Sequence, residues 1–207
     1  MAYNNFVLRL LISIVFISVY FTLAFINFYY VFYLILLIYF LTILEVSLYF
    51  KLHKILPIIY LLASFLFFII IDFNEVHFLN FNLFILVVIT FDVFSYIFGK
   101  CFGKNKLIKI SPNKTYEGLF GGVFMSFSIS LLFSFIFDMN INKNLLIFIF
   151  LIIFSSFIGD IIESYFKRKN NLKNSSEFIP GHGGIFDRFD SFLFSIIFYS
   201  ISINILV

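Results

Sequence analysis

Seven apolar stretches follow one another along the chain, at about 6 to 26, 28 to 50, 55 to 71, 78 to 98, 118 to 137, 144 to 162 and 186 to 207, with short polar breaks between them. An α-helix needs about 20 predominantly apolar residues to cross a bilayer core, and inside lipid its backbone must find its partners within the segment. The pattern predicts an all-α polytopic membrane protein of about seven transmembrane helices. Composition agrees: 62% of the 207 residues are hydrophobic and only 12% are charged, far from the balance of a soluble domain. No stretch is polar enough for a separate soluble unit, so residues 1–207 read as one integral membrane domain. The stretch FVLRLLISIVFISVYFTLAF reads as a retained span rather than a signal peptide, because its apolar core is long and lacks a small-residue cleavage site. Cys101, the only cysteine, leaves no internal disulfide or cysteine metal cluster and reads as a small apolar filler near a helix end.

Charge orients the spans. Of the 14 Lys and Arg residues, all but Lys143 fall on one face of the alternating breaks, the face that the positive-inside rule assigns to the cytoplasm. The amino terminus is then inside and the carboxyl terminus outside. The other face holds Asp72, Glu75 and Asp138 in short loops.

Glu45, Asp92, Asp160 and Glu163 fall in or at the ends of apolar helices, and Asp187 and Asp190 open the seventh. A carboxylate at membrane depth is costly and points to a functional site. In GDIIES and in DRFD two acids stand three residues apart, a spacing that shares a helix face. Two such pairs on one cavity on the cytoplasmic side supply hard oxygen ligands suited to magnesium and substrate phosphates. The bland reading pairs each acid with a neighbouring base, Asp187 with Arg188 and Glu163 with Lys167. Glu45 stands apart in this reading, as the one deep acid of the outer half.

The run PGHGG around His182 lets backbone approach a ligand closely, and its amides suit an anion; a plain re-entry turn is the alternative. His53, His77 and His182 form no metal-ligand pattern, and His53 reads as interfacial. Between spans four and five, residues 101–110 read as an amphipathic surface helix with lysines toward headgroups. SPNKT reads as a turn, with Ser111 or Asn113 placed to cap the next helix.

The stretch SYFKRKNNLKNSSEFIPGHGGIFDRFDS, Ser164 to Ser191, resembles the signature of the bacterial and organellar phosphatidate cytidylyltransferases, the CDP-diacylglycerol synthases. GDIIES, DVFSYIFGKCFGKNKL and ISPNKTYEG match as well. The resemblance covers roughly residues 90–195, the catalytic region it implies, and is weak over the spans of residues 1–77. Two departures stand out: Asn174 replaces the aspartate of the family's K-D, so that the acid's role is absent, relocated or taken over by Glu177, and Ser95 replaces the usual alanine. The family is commonly longer at its amino terminus, which implies a trimmed chain whose first spans hold the fold.

The resemblance implies transfer of CMP from CTP to phosphatidate by a multi-pass protein of the bacterial inner membrane, with magnesium as one cation or two. It implies Asp160 and Asp187 as principal metal ligands, with Glu163 and Asp190 beside them. Lys167, Arg168 and Arg188 would clamp phosphates, and backbone from Gly181 and His182 to Gly183 and Gly184 would cradle pyrophosphate. Asp92, Lys114 and Thr115 would complete the wall, and Ser164 and Lys173 belong to the same substrate-binding signature. The partners implied are CTP, phosphatidate and membrane lipids, not nucleic acid, with a homodimer as the family's assembly. Two other readings compete: a CTP-dependent transferase acting on another membrane lipid, and a cation transporter. An inactive homologue is a third, against which the retained acids of GDIIES and DRFD argue.

Overall fold

The computed structural model of the chain describes residues 15–74, 77–108, 111, 114–177 and 183–206, the last three through their backbone only. Seven helices make up the described residues: α1 (Val15–Ile26), α2 (Tyr29–Tyr49), α3 (Ile55–Ile69), α4 (Phe78–Phe102), α5 (Tyr116–Ile136), α6 (Lys143–Lys169) and α7 (Phe186–Leu206). The chain is an all-helical polytopic membrane protein. Helices α2, α4, α5 and α6 are each long and apolar enough to cross a bilayer. With 15 residues, α3 is about 22 Å long, shorter than the core it would have to span.

Large apolar side chains cover both the interior and the outside. Phe25, Ile70 and Phe135 are more than 70% exposed, as lipid-facing residues are, so helix association cannot rely on hiding apolar surface and depends on close fit. On α5 the residues Gly118, Gly122, Ser126, Ser130 and Ser134 recur every fourth position and are buried, a small-residue seam of the kind that lets backbones approach. A Cβ at Gly118 would strike the Ser95 carbonyl of α4, and one at Gly122 would strike the Ser95 and Phe91 side chains. Ser95, in place of the family's alanine, is thus accommodated in this seam.

Helix α7 is central, packing against α2, α3, α4 and α6. Its Tyr199 ring sits 4.7 Å from Phe84 and 5.4 Å from Phe81, and Ser195 shares a 3.0 Å hydrogen bond with Ser156 of α6. Tyr39 and Ser64 join α2 to α3 at 2.5 Å, and Ser64 also donates to the Leu193 carbonyl of α7.

Helix boundaries depart from the hydropathy pattern where polar chemistry extends or stops a helix. Residue 27 breaks α1 from α2, its Asn side chain accepting the Tyr29 N–H at 2.8 Å. Helix α6 continues past the apolar limit at 162 to Lys169, with Lys167, Arg168 and Lys169 in its last turn, where the helix dipole favours cations. Asn170 caps that end, and its side-chain oxygen accepts the N–H groups of Leu52 and His53 at 3.2 and 2.9 Å.

No helix forms over the described part of 101–110 beyond Phe102. The chain turns extended at Gly103, and residues 105–107 pair with 114–116 instead. Lys106 bridges Thr115, Leu107 N–H donates to the Lys114 carbonyl at 2.8 Å, and Lys114 N–H closes the turn on the Ser111 carbonyl. Thr115, rather than Ser111 or Asn113, caps α5, accepting the Gly118 N–H at 3.1 Å. Asn113, Pro112, Lys109 and Ile110 lie outside the described residues. Cys101 is exposed and fills no interior space.

Candidate active site

Two helix ends and a hairpin assemble the polar region. The turn before α7 contains Gly183 at φ +84°, a left-handed conformation that favours glycine. A Cβ at Gly184 would collide with Glu45 and Ser175, so the backbone there is packed to contact. The turn leads into α7 without a local cap, and Glu45 of α2 supplies one: its Oε2 accepts the N–H groups of Ile185 and Phe186 at 2.7 and 3.2 Å. Those N–H groups lack intrahelical partners. Glu45 therefore lies at the basic end of the helices beside the glycine turn, not in the outer half, and no sequence signal from its own neighbourhood marked that role.

Asp187, in the first turn of α7, is fixed on both oxygens. Oδ2 accepts the N–H groups of Ser175 and Gly184, both at 2.9 Å, and Oδ1 accepts from Lys167 Nζ at 2.7 Å. The same ammonium pairs with Glu163 at 2.7 Å. One lysine thus joins α6 to α7 between two carboxylates. Of the pairs in the bland alternative, Glu163 with Lys167 is present, and Asp187 pairs with the same Lys167, which brings 163, 167 and 187 into one charged cluster.

Asp160, one turn earlier on α6, faces the other way and meets Lys114 at 2.5 Å. Asp92 of α4 accepts from Ser191 Oγ at 3.0 Å, and Asp190 Oδ1 accepts the Ser191 N–H at 2.8 Å. Asp190 lies within electrostatic reach of Asp160, Glu163 and Asp92. These groups border a cavity of about 330 Å³ lined by Asp92, Lys114, Thr115, Asp160, Asp187, Arg188 and Asp190, together with Ser111 and Ser191. Four carboxylates, one ammonium and one guanidinium meet on this wall.

The remaining expected residues are placed differently. Glu163 is buried beneath Lys167 and does not line the cavity. Ser164 is buried on α6 away from it, while Lys173 and Asn174 are exposed. Arg168 Nη1 donates to the Leu172 carbonyl at 3.0 Å. Glu177 is exposed and does not line the cavity, so it does not stand there for the missing aspartate. Gly181 and His182, like Pro180, lie outside the described residues. Sequence reasoning missed Glu45 and the two serines, Ser175 and Ser191, that hold Asp187 and Asp92.

Among the described residues no three His, Cys, Asp or Glu side chains come together as a ready ion-binding group; ammonium groups hold Asp160, Glu163 and Asp187. The donor set nevertheless fits a hard divalent cation, because carboxylate oxygens from α4, α6 and α7 border one cavity.

A model of the cytidylyltransferase family matches residues 3–206. The phosphatidate cytidylyltransferase of Staphylococcus epidermidis is 45% identical over 112 residues, covering 53% of this chain and 43% of its own length. That of Staphylococcus haemolyticus is 47% identical over 112 residues, with the same coverage. Phosphatidate cytidylyltransferase 5, chloroplastic, of Arabidopsis thaliana is 43% identical over 109 residues, 52% of this chain and 27% of that protein. The chain thus covers less than half the length of these relatives.

Proposed function

Since the chain belongs to the cytidylyltransferase family, we propose that it transfers the cytidylyl group of CTP to phosphatidate, giving CDP-diacylglycerol and pyrophosphate. The observation that carries this reading is the shared cavity: acids and bases from GDIIES, from DRFD and from the hairpin before α5 border one space.

In the reaction, a phosphate oxygen of phosphatidate forms a bond to the α-phosphorus of CTP, and the bond from that phosphorus to the β-bridging oxygen breaks, its electron pair leaving with pyrophosphate. A phosphate monoester is already ionised near neutral pH, so no dedicated base is needed. Positioning and electrostatics dominate. Arg188 suits bidentate phosphate contact, and Lys114 can exchange Asp160 for a phosphate oxygen. Lys167 acts through Asp187, fixing its orientation. Asp160, Asp187 and Asp190 would hold magnesium, with Glu163 behind them, and the ion would supply charge neutralisation for the transferring and departing phosphates.

The test uses membranes containing the chain, labelled CTP, phosphatidate and magnesium. The expected product is labelled CDP-diacylglycerol with equimolar pyrophosphate; a chelator abolishes it and added magnesium restores it. Correctly inserted protein that forms no labelled lipid overturns the reading, and label transferred only to a polyprenyl phosphate or an ether lipid reassigns the acceptor.

The basic loops and amino terminus are proposed to face the cytoplasm, following the charge asymmetry. Cys101, the only cysteine and an exposed one at the basic end of α4, reports this directly. A membrane-impermeant maleimide should label it in opened membranes and not in intact cells; labelling of intact cells would reverse the orientation. The homodimer implied by resemblance is measured by the mass of the detergent-solubilised protein.

A further inference from the structure

A second cavity, of about 530 Å³, adjoins the first and is almost wholly apolar. Asp92 and Arg188 line both, so the charged space continues into a groove bordered by α1, α2, α4 and α7, with Phe133 and Phe137 at the end of α5. Along α4 the groove follows Asn82, Ile85, Ile89 and Asp92, positions spaced by three, four and three residues and so on one face of the helix. Ten residues separate the ends of this stripe, about 15 Å at the helical rise. That is half of the about 30 Å hydrocarbon core, the depth filled by the tails of one leaflet. The groove lining continues past Asn82 to Leu79 and Phe78 of α4 and Phe25 of α1; within it Tyr20 of α1 donates its hydroxyl to Asn82 Oδ1 at 2.8 Å, and Asn82 Nδ2 donates to the Phe78 carbonyl at 2.7 Å.

We propose that this groove receives one acyl chain of the lipid substrate, with the glycerol end at Asp92 and Arg188 and the tail running along the α4 stripe, past the Tyr20–Asn82 bond, toward Phe78. The proposal rests on the reading of the charged cavity as the place where phosphatidate reacts. Continuity and charge favour this occupant over a bulk lipid. The groove begins at a guanidinium that suits a phosphate, whereas the exposed faces of the helices, such as Phe120 and Phe124 on α5, are not part of the charged cavity. Moving a tail from bilayer to groove exchanges one apolar surrounding for another and gains no hydrophobic driving force. Selection therefore comes from fit along the Asn82, Ile85 and Ile89 wall.

Two measurements on the full chain in mixed micelles test this. In the first, Ile85→Trp and, separately, Ile89→Trp are compared with wild type on dioleoyl and dioctanoyl phosphatidate. The ratio of long-chain to short-chain conversion should fall about tenfold, with the KM for CTP unmoved; an unchanged ratio in properly folded variants overturns the groove. In the second, which needs no substitution, phosphatidate carrying a diazirine at one acyl terminus is photolysed with wild-type protein. Label on α1 and α4 around Tyr20 and Ile85, competed by excess phosphatidate and not by phosphatidylglycerol, supports the proposal. Label on the exposed face of α5 around Phe120 and Phe124, competed equally by both lipids, means annular lipid and overturns it. Absence of turnover on every phosphatidate would count against the reaction itself, while the pattern of photolabelling would still decide the groove.

Discussion

Replacing Asp187 with asparagine is expected to lower labelled-lipid formation by at least about 100-fold, the scale of removing one preorganised electrostatic group, while the protein still inserts and folds. The reason lies in the donors around the carboxylate. Oδ1 faces the Lys167 ammonium and Oδ2 faces two backbone N–H groups, from Ser175 and Gly184. All three partners donate, and an asparagine offers one acceptor oxygen and one donor NH2. In one orientation the amide nitrogen opposes Lys167; in the other it opposes both N–H groups. Either orientation leaves buried donors unpaired, at about 1–3 kcal/mol, and loses the charge that ties α7 to Lys167. The cavity wall also loses a carboxylate. Pyrophosphate release and labelled-lipid yield should fall together, with thermal unfolding in detergent confirming that the variant is folded. Equal labelled-lipid formation by Asp187→Asn and wild type would remove Asp187 from the chemistry.

Much of this site was legible because it is written in continuous sequence. Asp187, Arg188 and Asp190 occupy the first turns of one helix, so identifying the start of α7 was enough to place them on the cavity. Asp160 and Glu163 were harder. Three residues on a helix share a face only loosely, and Lys167 selects Glu163 and draws it under α6 and away from the cavity, while Lys114 draws Asp160 toward it. The expected surface helix after Phe102 shows another limit. Lysines at 100, 104 and 106 resemble a helical charge pattern, but Gly103 leaves the helix and the backbone pairs between Lys106 and Thr115. Periodicity records side-chain placement and does not register a competing hairpin, which is decided by backbone partners. Hydropathy likewise stopped α6 at the first charges, although a Glu and Lys four residues apart continue a helix well.

Glu45 was the least legible residue, since 140 positions separate it from the N–H group it binds, and its removal gives the second large effect. The sequence before Phe186 reads GHGGI, with no Ser, Thr, Asp or Asn at the cap position, so the first turn of α7 must obtain its acceptor from elsewhere. Glu45→Ala is expected to destabilise the detergent-solubilised protein by about 2 kcal/mol or more, from two donors left unpaired in a buried place. Activity should fall further than stability, because that turn carries Asp187, Arg188 and Asp190. Glu45→Gln separates the contributions of shape and charge. Its amide oxygen can still accept the Ile185 and Phe186 N–H groups, and its NH2 would replace Oε1, a buried oxygen without a hydrogen-bond partner beside the similarly unpartnered Ser175 Oγ. That hydroxyl can accept. Thermal unfolding should therefore place Glu45→Gln close to wild type and Glu45→Ala well below it, with kcat following the same order and the KM for CTP changing less. Equal losses in both variants would show that the negative charge, acting on the helix dipole, outweighs the hydrogen bonds; wild-type behaviour in both would mean that α7 is positioned without α2.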